Sequence, residues 1–247
     1  MTAASRARFA EVVRSPEPID VGLAALLLCV EVEPTLDLDA PLAMLDGLAA
    51  SVTSTDVDGL QAALAGFGGT ADDFDDLRSS LLTEVLRRRR GLPILLSVLW
   101  VEVAARVGVA ASYATVPGRV VVVLGDLEDE FVLFDPFAGR VVAGPAAALG
   151  SHELLLRMLT NIRALTARQP RSLDAARTRL WAVELSLLVP THPLELRRER
   201  GELLVRLGSH LDGAFELESY AAVVEDADEE LAETCRREAR QARSRLN

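Results

Sequence analysis

The sequence predicts a mostly helical α+β fold, with a small antiparallel sheet flanked by helices and a helical-repeat-like tail. Three observations predict it. Apolar residues recur at helical spacing through most of the chain up to Val107. The period then changes to β-branched runs between Ser112 and Val142. From Ser151 onward no strand signal remains.

In residues 4–14, Phe9, Val12 and Val13 have helical spacing, and Ser15-Pro16-Glu17-Pro18 stops the helix. Asp20 reads as the N-cap of a second helix, running to about Val32 and ended by Glu33-Pro34. Helices over Ala40–Val52 and Asp56–Leu64 and a loop at Phe67-Gly68-Gly69-Thr70 complete a helical lead-in, residues 1–70. Asp73–Asp76 opens the next helix, its carboxylates favourably placed at the N-terminus. That helix ends in Arg87-Arg88-Arg89-Arg90-Gly91, where cations complement the dipole and glycine stops the helix. The four arginines either form a patch for an acidic partner or pair with Asp72, Asp73, Asp75 and Asp76. Pro93 suits the first position of a helix that runs to Val107. Its near-absence of a polar face marks the centre of a domain.

Ser112–Val116 and Val120–Leu124 then read as strands, followed by Phe131–Phe134 and Arg140–Val142. The turn Gly125–Glu130 carries Asp126, Glu128, Asp129 and Glu130 but lacks EF-hand spacing, so it reads as a solvated hairpin tip. Residues 71–150 form the α+β core. Residues 151–247 form the tail, with helices expected at 152–168, 172–189, 193–208, 211–225 and 228–245. Ala176 and Ala214 occupy comparable places in two helix pairs, a loose sign of a helical-hairpin repeat. Trp100 and Trp181 read as core residues.

Composition excludes several function classes. The net charge is −11, and every basic residue is arginine. Residues 1–150 carry 11 arginines against 21 carboxylates, and residues 151–247 carry 15 against 16. Such a surface repels a phosphate backbone, so no nucleic-acid partner is expected. Cys29 and Cys235, far apart and in helical surroundings, give no disulfide framework and no metal site. The apolar runs Val21–Val30 and Ile94–Val101 fall short of the roughly 18–20 residues a membrane span needs. No membrane association and no cofactor are expected, and the cytoplasm is the expected compartment.

Between Asp75 and Val142 the chain resembles a known family. The residues that carry the likeness are Leu82-Thr83-Glu84-Val85-Leu86, Arg88-Arg89-Arg90-Gly91-Leu92-Pro93-Ile94 with Ser97, and Ala105-Arg106-Val107-Gly108-Val109. Val116-Pro117-Gly118, Phe134-Asp135-Pro136-Phe137 and Leu155–Arg163 extend it. The pattern resembles the SirB-type branch of the transglutaminase-like superfamily: bacterial proteins with a transglutaminase-like core followed by tetratricopeptide-type helices. The resemblance implies a degenerate core here. Active members use a cysteine at a helix N-terminus, a histidine that moves the proton and an aspartate that orients it. Pro93 lies near the place of that cysteine, and Arg119 stands where the histidine would be. Asp135 matches the aspartate. His152, His192 and His210 all lie outside the core stretch. Ser97 or Ser112 would still lack a base, because a guanidinium does not deprotonate in proteins.

The expected function is that of a non-catalytic protein-interaction or regulatory protein, a pseudoenzyme with a protein partner. The rival is a hydrolase or acyltransferase with an atypical site around Asp135. A third reading keeps a small-molecule ligand in the former cleft, with Arg119, Asp135 and Ser97 as candidate binding residues. Arg119 and Asp135 are expected to form an ion pair across a hairpin. The competing view is that Arg119 points to solvent and Asp135 only shapes its turn.

Overall fold

The computed structural model describes residues 3–245. The chain divides into two compact units, Met1–Met158 and Leu159–Asn247.

In the first unit, α1 (Ala3–Arg14), α2 (Val21–Val32), α3 (Asp39–Ala50) and α4 (Val57–Leu64) precede the sheet. Two of these start where a side chain supplies the missing acceptor. Asp20 accepts from the Leu23 N–H at 2.8 Å, and Asp56 from the Gly59 N–H at 2.8 Å. The single helix expected from Asp73 to Arg90 does not form. Two 3-10 turns, Ala71–Asp75 and Leu77–Ser80, come first, and α5 covers only Leu82–Arg88. The reason is local competition for backbone donors. Asp73 takes the Thr70 N–H at 2.7 Å, and Asp76 takes the Arg78 N–H at 3.0 Å. α5 closes with Arg89 in the left-handed conformation, φ 57°.

α6 (Pro93–Arg106) begins with proline in the first turn and packs on the sheet. The strands are β1 (Ala111–Val116), β2 (Arg119–Gly125), β3 (Phe131–Asp135), β4 (Arg140–Val142) and β5 (Ala147–Ala148). They lie in the order β4-β3-β2-β1-β5, every pair antiparallel. β1 and β2 turn at Pro117-Gly118, with Val116 opposite Arg119 and Gly118 at φ +83°. Proline followed by a residue with positive φ suits a tight turn. The two-residue β5 escaped the sequence reading because its alanines carry no strand signal.

Both faces of the sheet are apolar. On one face the Trp100 ring of α6 stacks on Phe134, centroids 4.1 Å apart. On the other, Ala114, Val121, Val123 and Leu133 form a separate buried cluster. This explains why β2 is a continuous valine run rather than an alternating one.

α7 (Ser151–Ala167) spans the division between the units. The second unit continues with α8 (Leu173–Ser186), α9 (Glu195–Arg206), α10 (His210–Val224) and α11 (Glu229–Ser244), each packed on the next. α9 and α10 approach closely at two glycines. A Cβ on Gly213 would lie 2.8 Å from both the Gly201 carbonyl oxygen and the Val205 nitrogen. Backbone atoms cannot step aside, so Gly213→Val is expected to cost about 1–3 kcal/mol by overpacking, read as a lower urea midpoint. Among the described residues, no helix is long and apolar enough to cross a membrane.

Candidate functional site

The β1–β2 turn sets Arg119 as the first residue of β2, and Asp135 is the last of β3. Their side chains meet, Arg119 Nε lying 3.1 Å from Asp135 Oδ2. The Asp135 side chain is 1% exposed, whereas that of Arg119 is 41% exposed. The other carboxylate oxygen, Oδ1, accepts from the backbone N–H groups of Phe137 and Ala138, each at 3.0 Å. Asp135 therefore pairs with Arg119 and also shapes its own turn, so the view that it serves the turn alone does not hold.

Alternation along the strands fixes which way the pair faces. Phe134 points toward α6, so its neighbour Asp135 falls on the side of Leu133, and Arg119 on that of Val121. Pro93 opens α6, which packs on the opposite face. Ser97 is fully buried, and its hydroxyl donates to the Pro93 carbonyl at 3.0 Å. Strand alternation thus sets Ser97 and the Arg119–Asp135 pair on opposite faces of the sheet. Ser112 lies on β1, exposed.

The two thiols and the imidazoles of His152 and His192 are engaged elsewhere, while His210 opens α10 with its Nδ1 buried and without a hydrogen-bond partner among the described residues. Cys29 lies in α2, its Sγ donating to the Ala25 carbonyl at 3.3 Å, and Cys235 is buried in α11. Burial pushes both thiols up, the opposite of activation. Ellman's reagent is expected to leave both unreacted in the native protein and to titrate both in denaturant. Fast labelling of the native chain would contradict this. His152 is held by the Val13 carbonyl at 2.7 Å and by Glu17 at 2.6 Å. His192 contacts the Val189 carbonyl at 2.7 Å.

A second polar constellation lies between the 3-10 turns and the end of α5. Asp73, 1% exposed, is its centre. Arg90 donates to both of its oxygens at 3.0 and 3.1 Å, and Ser79 Oγ to Oδ1 at 2.7 Å. Burial alone would raise this carboxyl; the Arg90, Ser79 and Thr70 hydrogen bonds outweigh it and hold the value at about 2. The rest of the arginine run is also engaged. Arg87 pairs with Glu84 at 2.7 Å, Arg88 with Asp76 at 3.1 Å, and Arg89 lies 5.5 Å from the centre of the Phe67 ring. Arg88, Arg89 and Arg90 therefore tie the end of α5 to the segments before it, while Arg87 pairs within its own helix. The sequence pointed to this pairing but not to Asp73 as its hub.

Among the described residues, no group of three or more His, Cys, Asp or Glu side chains is placed to hold a metal ion. The Arg119–Asp135 arrangement can hold an anion's charge or brace a turn, but its acid is fully engaged and its cation cannot accept a proton.

Comparison with known proteins adds a family. The profile of the transglutaminase-like superfamily matches residues 27–182. A UPF0162 protein of Xylella fastidiosa strain Temecula1 is 31% identical over 174 residues, covering 61% of this chain and 60% of that protein. A UPF0162 protein of Vibrio cholerae is 25% identical over 166 residues, covering 59% of this chain and 60% of that protein. The match thus spans about three fifths of each of these relatives. No solved structure matches the chain.

Proposed function

This chain belongs to the transglutaminase-like superfamily, and we propose that it serves as a non-catalytic protein-interaction or regulatory protein built on that fold. The observation that carries the reading is the state of Asp135. Both of its oxygens are taken, one by two backbone N–H groups and the other by Arg119, which stands where the resemblance places a histidine. Acyl transfer needs a nucleophile beside a base. Here the base position holds a permanent cation, and the nearest hydroxyl candidate of α6 is buried and bonded to its own helix.

The finer reading assigns the chain to the SirB-type branch, with the tail as tetratricopeptide-type repeats in a cytoplasmic bacterial protein. Successively packed helices α8 to α11 support the repeat reading, because stacked helical hairpins build extended protein-binding surfaces. The core, 71–150, then acts as the platform and the tail carries partner contact.

The rival hydrolase or acyltransferase would turn over ester or amide substrates in a manner lost on Asp135→Asn. Such turnover by the purified chain would overturn the proposal. A chain ending at Arg168 keeps α7 whole and removes α8 to α11. It is expected to lose partner recovery from native cells while retaining a cooperative unfolding transition. Undiminished recovery would make the tail merely structural.

A further inference from the structure

α10 presents an apolar stripe that nothing in its own unit covers. Leu211 is 60% exposed, Phe215 66% and Val223 60%. At about 100° per residue, Leu211, Phe215 and Ala222 fall within roughly 40° of one another, and Val223 lies about 80° beyond Phe215, at the far edge of a face roughly 120° wide. A large aromatic left two-thirds exposed beside an exposed leucine is a contiguous patch rather than scattered apolar surface.

The polar residues within the stripe are satisfied internally. The Ser219 hydroxyl donates to the Phe215 carbonyl at 2.8 Å, so it asks nothing of a neighbour. Glu218 is held by both terminal nitrogens of Arg243, one of them at 2.7 Å. The charges without an ion pair among the described residues stand at the two ends: Asp212 beside Leu211, and Asp226 just beyond Val223. The stripe therefore has an apolar middle and acidic ends.

That charge pattern selects among occupants. A second copy laid antiparallel on α10 and centred on Ser219 would set Asp212 against the copy's Asp226 at both ends, and like charges there disfavour pairing. A partner helix with an apolar face and basic flanks meets the same groups favourably. The 15 residues of α10 give about 22 Å of surface, enough for about four turns of such a helix.

We infer that α10 is a docking surface for a basic amphipathic helix of another protein, seated on Leu211, Phe215 and Val223 and flanked by Asp212 and Asp226. This deepens, and rests on, the reading of the tail as the partner-binding part.

The test places the photo-crosslinker p-benzoylphenylalanine at position 215 of the full chain in its native cell, with a control at exposed Asp58. Adducts are identified as peptides. Expected at 215, and not at 58, is a segment with apolar residues at helical spacing and lysine or arginine on its flanks. That segment, synthesised as a labelled peptide, should bind the full chain. Its affinity should fall at least tenfold with Phe215→Ala and with Asp212→Arg plus Asp226→Arg, while the thermal midpoint of each variant stays near that of the parent. Adducts to a second copy, to an acidic or uncharged segment, or none at all would overturn the inference. So would an affinity indifferent to Phe215→Ala. If these fail while the chain ending at Arg168 still loses its partner, the docking site is wrong and the wider reading stands. If that shorter chain keeps its partner, the wider reading fails first.

Discussion

Asp73→Ala should lower the unfolding free energy by about 3–5 kcal/mol, the cost of stripping a buried ionic network of one partner. The carboxylate is 1% exposed and receives hydrogen bonds from Arg90, Ser79 and the Thr70 backbone. Removing it leaves the Thr70 N–H and the buried Ser79 hydroxyl without their acceptor, while the half-exposed Arg90 guanidinium keeps only Thr70 Oγ1 and water. It also releases the 3-10 turn that brings Ser79 into place, whose carbonyl accepts from the Leu92 N–H at 3.0 Å just before α6. The damage therefore reaches the start of the central helix. Asp73→Asn keeps the shape and loses the charge, so it should cost less than alanine while still disturbing Arg90.

The same residue gives the protein an acid limb. Its carboxyl is held at about 2 when folded against an ordinary 3.8. Below 3.8 the unfolded chain binds the proton first, so unfolding gains and stability falls as pH falls. The contribution, about 2 kcal/mol, is fully present above roughly pH 4 and is lost between about pH 4 and 2. Asp76 and Glu84 are also lowered, burial opposing the Arg78 hydrogen bond at Asp76, and the Arg87 hydrogen bond leading at Glu84. They steepen the same limb. In urea melts from pH 6 to pH 2, Asp73→Asn should show a shallower loss than the parent. An unchanged slope would mean that Asp73 titrates normally.

How much of this was legible follows from what each residue needs to act. The caps at Asp20 and Asp56 and the proline opening α6 act within one turn of chain, so the sequence alone shows them. The Pro117-Gly118 hairpin and the valine run of β2 are equally local. The break between Ala71 and Ser80 was hidden because Asp73 reads as a good helix N-terminal residue. Only contact with Ser79 and Arg90 shows its carboxylate serving a different geometry. Ser97 was a fair cleft candidate by position, yet an α-helical serine on a face without polar neighbours turns back to its own carbonyl. The stripe on α10 was invisible for a related reason. Leu211 and Phe215 have the spacing of core residues, and nothing in one sequence says which apolar face a helix leaves uncovered.

The Arg119–Asp135 pair was anticipated from the spacing across the hairpin together with the family resemblance, and its energetics can be divided by a double-mutant cycle. Asp135→Ala should cost about 3 kcal/mol, since it leaves the Phe137 and Ala138 N–H groups without their acceptor and dissolves the turn into β4. Arg119→Ala should cost about 1–2 kcal/mol. It leaves a buried carboxylate whose two backbone hydrogen bonds survive, and the guanidinium it removes was already 41% exposed to water. The coupling between them should be about 1–2 kcal/mol, between the values for surface pairs and for buried ones. Asp135→Asn separates the two roles. Its side-chain oxygen can still accept in the turn, while the charge facing Arg119 is gone, so its cost should be close to the coupling energy alone. Urea unfolding of the four proteins of the cycle, plus Asp135→Asn, measures all of these terms. Additive single effects would mean that the turn carries everything and the pair is incidental. An Asp135→Asn variant as unstable as Asp135→Ala would mean that the charge, and so the clasp with Arg119, outweighs the turn.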